Sequence, residues 1–181
     1  MALTKTQTEM LRNWLLARQI SVDEPLLKKI GRYHDLILEW SQRMNLVSKG
    51  DRAQIIENHF IDSLLPLREI PDAGRLLDVG SGAGFPAIPI ALFRPDISID
   101  MVESIHKKTL FLQLVKRQLG MDKVNIIENR LELLRPKADY DIITIRALPK
   151  WEKLLKRIKP FLKPHGKIIY FDKRNSYKIL N

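Results

Sequence analysis

Three observations predict an α/β fold with a mostly parallel, doubly wound sheet. From about residue 71 onward, short apolar runs alternate with helical patterns, which implies parallel strands joined by right-handed crossovers. The first run, residues 76–79, leads into glycines at alternate positions, Gly80, Gly82 and Gly84. Glycine there lets the chain turn sharply and lets a ligand approach with no Cβ in the way. The second run, residues 97–102, ends at an acidic side chain, Glu103, about twenty residues beyond the glycines.

Three helices precede this unit. Met10, Leu11, Trp14 and Leu15 form one apolar face, and Leu26, Ile30, Tyr33, Ile37, Trp40 and Met44 form a longer stripe at helical spacing. A third helix is predicted to start at Asp51, with Gln54 three residues on, and to bury Ile55, Ile56, Phe60, Leu64 and Leu65 before Pro66. Its His59 and Asp62 share a face, which suits either a structural contact or reach toward a substrate. Residues 71–74 are the expected hinge, dividing an N-terminal helical subdomain (1–70) from a ligand-binding domain (71–181). Strands are expected at about 76–80, 98–103, 124–128, 141–146 and 167–171, and helices at 86–93, 106–119 and 150–162. Pro89 shortens or bends the first of these helices. In the helix from 106, His106, Lys107 and Lys108 put positive charge at the positive end of the dipole, so an anionic group is expected beside them.

Hydrophobic residues make up 45% of the 181, enough for a proper core. There is no cysteine, which removes disulfides and thiolate metal sites and fits a reducing, cytoplasmic setting. No metal site is expected. No apolar run approaches the roughly 20 residues of a membrane span. The net charge is +10, and most of it lies in the last 32 residues, where ten Lys or Arg face only Glu152 and Asp172. Such a concentration points to a polyanion partner, most simply a nucleic acid, with Lys150, Lys153 and Arg157 on one helical face as contacts and Lys107 and Lys108 as a second patch.

The glycine loop with Glu103 suits a ribose-bearing cofactor, the carboxylate accepting from both ribose hydroxyls. NAD and S-adenosylmethionine both fit. The form Asp-x-Gly-x-Gly-x-Gly from Asp78 to Gly84 looks more like the loop of the methyl donor. For methyl transfer, the residues after the fourth strand, Ile145-Arg146-Ala147-Leu148-Pro149, lack the clamp used for an exocyclic base amine. Methylation at pyrimidine C5 needs a cysteine nucleophile, and the chain has none. A ring nitrogen such as guanine N7 carries a free lone pair and needs only orientation. An oxygen acceptor stays open.

The chain resembles the bacterial 16S rRNA guanine-N7 methyltransferase family, also called glucose-inhibited division protein B. The resemblance runs over residues 25–171: Asn45-Leu46, His59-Phe60-Ile61-Asp62-Ser63-Leu64, Asp78-Val79-Gly80-Ser81-Gly82-Ala83-Gly84-Phe85-Pro86, Glu103-Ser104 with Lys107-Lys108 and Phe111-Leu112, Arg130-Leu131-Glu132 and Arg146-Ala147. Ala87 stands where the family usually has glycine, and Asp172-Lys173-Arg174 where it has Lys-Gly. The resemblance implies a Rossmann-like class I methyltransferase and S-adenosyl-L-methionine as cofactor. It places Gly80 and Phe85 at the cofactor, where the glycine loop already puts Gly82 and Gly84, with Leu131 and Glu132 beside the adenine and Arg146 at the end facing the substrate. The implied substrate is a guanine in the 530 loop of 16S rRNA, free or in a small-subunit particle. Family members continue into a final antiparallel strand pair, so the expected sheet lacks its last two strands and leaves strand five as an exposed apolar edge. Two other functions fit the same residues: an NAD(P)-dependent oxidoreductase, and a non-catalytic RNA-binding or ribosome-assembly protein that keeps a cofactor loop.

Overall fold

A computed structural model describes residues 3–147, 151–172 and 176–180. The chain opens with α1 (Lys5–Leu16) and α2 (Glu24–Trp40). Thr4 and Gln7 close a capping box on α1, and Asp23 caps α2 by accepting from the Leu26 amide at 2.8 Å. The apolar faces read from the periodicity are the buried ones: Leu11 and Leu15 on α1, and Ile30, Tyr33 and Ile37 on α2.

The third helical segment differs from expectation. It is a 3-10 turn (Lys49–Gln54) followed by a π-helix (Ile56–Ile61). Ser48 supplies the cap instead of Asp51: it sits in extended backbone, and its hydroxyl accepts from the Asp51 amide at 3.2 Å while donating to the Asp51 carboxylate at 2.6 Å. Ile55, Ile56, Phe60 and Leu64 are buried as expected. Leu65 is only half-buried.

Among the described residues six strands form one sheet: β1 (Ala73–Val79), β2 (Asp96–Glu103), β3 (Val124–Glu128), β4 (Tyr140–Arg146), β5 (Leu162–Phe171) and β6 (Tyr177–Leu180). Their order is β3-β2-β1-β4-β5-β6, with the first five parallel. The expected Rossmann-like α/β architecture is therefore present. The bare edge is not. β6 runs antiparallel along β5, pairing Ile168 with Leu180 and Phe171 with Tyr177, so at least one antiparallel strand covers the apolar edge. Lys173 and Arg174 lie outside the described residues.

The crossover helices are α3 (Ala87–Phe93), α4 (His106–Leu119) and α5 (Trp151–Ile158). α3 is short, seven residues, which is one of the two outcomes expected of Pro89; that proline lies in the first turn, where a backbone N–H has no intrahelical partner. Gly120 ends α4 in the left-handed conformation, with φ 63°. One face of the sheet buries Leu76, Ile99 and Met101 against α1 to α4 and the π-helix in a single apolar cluster. The other face buries Leu77, Val79, Ile143 and Ile168 against α5 and the turn after it.

Among the described residues, the apolar cluster on that second face does not extend over Arg75, Asp100 and Asn125. Polar contacts take its place there. Arg75 donates to Asp100 at 2.8 Å, Tyr140 donates its hydroxyl to Asp100 at 2.8 Å, and Asn125 donates to the same carboxylate at 2.9 Å. Arg75 also pairs with Asp139. Arg75, Asp100, Asn125 and Tyr140 thus satisfy one another across four neighbouring strands.

Candidate functional site

The strands deliver their last residues to one rim, where ligands sit in doubly wound sheets. A cavity of about 660 Å³ opens there, a size that suits a nucleoside cofactor with part of a second reactant. Its floor is the loop after β1. Gly80 and Gly82 line it in left-handed backbone, at φ 75° and 56°. The amides of Gly80 and Ser81 donate to the Val102 carbonyl at 2.9 and 3.1 Å, which ties this loop to the end of β2.

Gly84 belongs to a different task. It does not line the cavity. A Cβ at Gly84 would lie 2.6 Å from Ile88 Cγ1 and 2.9 Å from the Tyr33 hydroxyl, so glycine is required there by packing, in addition to its φ of 98°. Tyr33, from α2, reaches over and donates its hydroxyl to the Ala83 carbonyl at 2.7 Å, and its ring lies 5.4 Å from that of Phe85. Burial pushes the Tyr33 phenol well above its usual range, and the Asp78 charge adds to this, so it stays a donor. The helical segment therefore shapes the loop directly.

Glu103 is nearly buried at the tip of β2. One carboxylate oxygen accepts from the Gly82 amide at 2.9 Å and the other from the Ile105 amide at 2.8 Å. The loops after β1 and β2 are thus locked together through one anion, which still has lone pairs to offer the cavity. Leu131 and Glu132, in the turn after β3, line the same end with Val102, Ile105 and Asn129. Apolar walls beside a fixed carboxylate and a Cβ-free floor are the surfaces that a purine ring, a ribose and a short chain require.

Toward β4 the cavity changes character. Arg146, at the end of β4, pairs with the buried Asp62 at 2.7 Å and donates to the Asn58 carbonyl at 3.0 Å and the Ser63 hydroxyl at 3.2 Å. Burial pulls its pKa down while the Asp62 charge opposes this, and the guanidinium stays charged. Asp62 is thus held in a structural pair with Arg146. His59 stacks on Phe85, ring centroids 5.2 Å apart and 26° between planes, and lines the cavity. Leu46, Val47 and Ser48 complete that wall. Sequence reasoning did not assign these three to the site; Asn45-Leu46 was singled out only as part of the family resemblance. Beneath the loop, Asp78 accepts from the Thr144 hydroxyl at 2.6 Å. Burial pushes its carboxyl up to about 6, against the Ser81 and Thr144 hydroxyls and the Arg146 charge.

The anion expected beside His106, Lys107 and Lys108 is Glu128. It meets His106 Nδ1 at 2.9 Å and accepts from the Thr109 hydroxyl at 2.7 Å, and these contacts hold its carboxyl below the usual range. Lys108 lines the cavity and Lys107 is exposed. Lys153 and Arg157 are exposed on α5, whereas Lys150 lies outside the described residues. Among the described residues no cluster of side chains could hold a metal ion, and no helix is long and apolar enough to cross a membrane.

Comparisons with known proteins bear on the fold and the family. A crystal structure of M. jannaschii TYW2 in complex with AdoMet superposes with TM-score 0.60 at 18% identity, over 71% of this chain and 55% of that one. A precorrin-6y C5,15-methyltransferase from Geobacter metallireducens gives TM-score 0.51 at 19% identity, over 70% and 64%. These likenesses concern the fold. Sequence relatives are nearer. The ribosomal RNA small subunit methyltransferase G of Wolinella succinogenes is 35% identical over 161 residues, 89% of this chain and 82% of the relative. That of Halorhodospira halophila is 36% identical over 151 residues, 83% and 71%. The family model GidB, rRNA small subunit methyltransferase G, matches residues 26–178. The chain therefore belongs to the rRNA small subunit methyltransferase G family.

Proposed function

We propose that this chain transfers a methyl group from S-adenosyl-L-methionine to N7 of a guanine in the 530 loop of 16S rRNA. The observation that carries the reading is a single cavity with two chemically different ends: the glycine floor with Glu103 at one, and Arg146 with His59 at the other. The cofactor supplies an electrophilic methyl group on a sulfonium sulfur. Glu103 accepts from the ribose hydroxyls, Leu131 and Glu132 flank the adenine, and Gly80 and Gly82 leave room for the chain that follows. Phe85 and Arg146 bound the end from which the acceptor enters. Guanine N7 presents its lone pair in the plane of the ring, so the protein need only orient it in line with the methyl group, and no covalent intermediate forms.

Lys107, Lys108, Lys153 and Arg157 supply phosphate contacts for the RNA, and Lys150 is assigned with them from its sequence position. Kinship with rRNA small subunit methyltransferases over residues 26–178 favours the methyl donor over a dinucleotide. Methyl transfer from labelled donor to unmodified small-subunit rRNA, naked and assembled, with the modified base mapped, tests the reading. Label on guanine N7 in that loop supports it. Label elsewhere, or tight NAD(H) binding without S-adenosylmethionine binding, overturns it.

A further inference from the structure

The cavity has a wall that the cofactor reading does not use: the imidazole of His59, carried on the π-helix Ile56–Ile61. Such i→i+5 turns are rare in helices and re-aim side chains, often at functional sites. Here the π-turn brings His59 against Phe85 and beneath Arg146. The placement along the sheet is informative. Glu103 ends β2 and Arg146 ends β4, with β1 between them, so the two residues are two strand spacings apart, about 10 Å. With the ribose at Glu103, the far part of the cavity, where His59 lies, is left for the second reactant.

We propose that His59 is the ring on which the acceptor base stacks, a substrate-contacting residue in a subsite built by the N-terminal helical segment. The proposal rests on the methyltransferase reading above and names how its acceptor is held.

The chemistry available at His59 selects stacking over proton transfer. Nδ1 lies 3.3 Å from Arg146 Nη2, which can only donate, so Nδ1 acts as an acceptor. The hydrogen of the neutral ring is then on Nε2, which faces the Asp51 carboxylate at 3.8 Å and is buried. Both nitrogens are thus turned toward protein partners. What remains for the cavity is the carbon surface of a side chain that is 20% exposed, with Phe85 backing one ring face. A ring fixed on a second ring is a rigid platform for a purine, and every base offers a π-face to it.

The test uses the full chain, small-subunit rRNA and two kinds of variant. His59→Gln keeps a polar group for Arg146 and removes the ring. His59→Phe and His59→Tyr keep a ring and remove the imidazole nitrogens. Thermal melts and equilibrium dialysis with S-adenosylmethionine accompany the rate measurements, so a variant that fails to fold is recognised and the other ring variant carries the comparison. His59→Gln is expected to lower kcat/KM for RNA by about 5- to 150-fold, the range spanned when an aromatic stacking partner is removed. Its cofactor Kd is expected to stay within about twofold of the parent value, a threshold far below the tenfold that 1.4 kcal/mol represents. A folded ring variant is expected to retain most of the activity. Undiminished activity in His59→Gln overturns the proposal, and so does a folded ring variant that loses as much as His59→Gln. An unmodified chain that methylates no rRNA removes the methyltransferase reading, and this proposal with it.

Discussion

Replacement of Gly84 by alanine probes how the helical segment shapes the ligand loop. Gly84 has φ 98°, where an L-residue costs about 1–2 kcal/mol. The added Cβ also meets Ile88 Cγ1 at 2.6 Å and the Tyr33 hydroxyl at 2.9 Å, and overpacking of this kind costs about 1–3 kcal/mol. The sum is about 2–5 kcal/mol, which in a chain of this length lowers Tm by about 4–20 °C. Gly82→Ala is the control. Its φ is 56° but its nearest new neighbour is the Gly80 carbonyl at 3.8 Å, so it carries only the backbone cost, about 1–2 kcal/mol. Tyr33→Phe strips the hydrogen bond to Ala83, at about 1–3 kcal/mol, and also removes one of the atoms that the new Cβ strikes. The double variant Gly84→Ala, Tyr33→Phe is therefore less destabilised than the sum of the singles, by about 0.5–3 kcal/mol. Thermal unfolding without ligand measures all four proteins. A Gly84→Ala protein as stable as Gly82→Ala, or strict additivity in the cycle, refutes the reasoning.

Further expectations follow from the same contacts. Glu103→Gln sets an amide NH2 against one of the two backbone N–H groups that the carboxylate accepts, and it weakens a charge-assisted bond worth about 1.5–3 kcal/mol; equilibrium dialysis should show cofactor affinity falling about tenfold or more. Arg146→Met leaves Asp62 buried without its cation and should cost about 3–5 kcal/mol in denaturant unfolding. Asp78 has a folded pKa of about 6 against an unfolded value near 3.8, so it binds its proton more tightly when folded; its stabilising contribution is complete below pH 4 and is lost as the pH rises through 6, about 3 kcal/mol in all. Stability measured from pH 4 to 7 should show this decline, and Asp78→Asn should flatten it. Reversing Lys153 and Arg157 to Glu should weaken RNA binding with cofactor affinity unchanged, each lost phosphate contact reducing the log–log salt slope by about 0.7.

The glycine loop, Glu103 and the order of strands and helices were legible because each has a local signature: an apolar run, a Cβ-free turn, an acid at a strand end. The starts of β1 and β2 were not, since Ala73 and Asp96 are exposed and carry no apolar pattern. β5 begins at Leu162, earlier than the expected 167, and its pairing with β4 is irregular between Tyr140 and Ile142. The π-helix has no periodicity that an i, i+3, i+4 search detects. Asp62 pairs with Arg146, 84 residues later, and only the assembled sheet brings β4 to that helix. Three glycines at equal spacing likewise look equivalent in sequence, while Tyr33 and Ile88 make Gly84 a packing residue and leave Gly80 and Gly82 at the cavity.

The hydroxyl of Tyr33 holds a carbonyl 50 residues downstream, inside the loop that floors the cavity. Docking of α2 and occupancy of the cavity are then coupled equilibria, and the coupling is reciprocal: whatever factor α2 adds to ligand affinity, the ligand returns to the hold on α2. Amide protons of α2, which lends no residue to the cavity lining, should therefore exchange more slowly once the cavity is filled, and substitutions on the hidden face of that helix should register as changes in Kd.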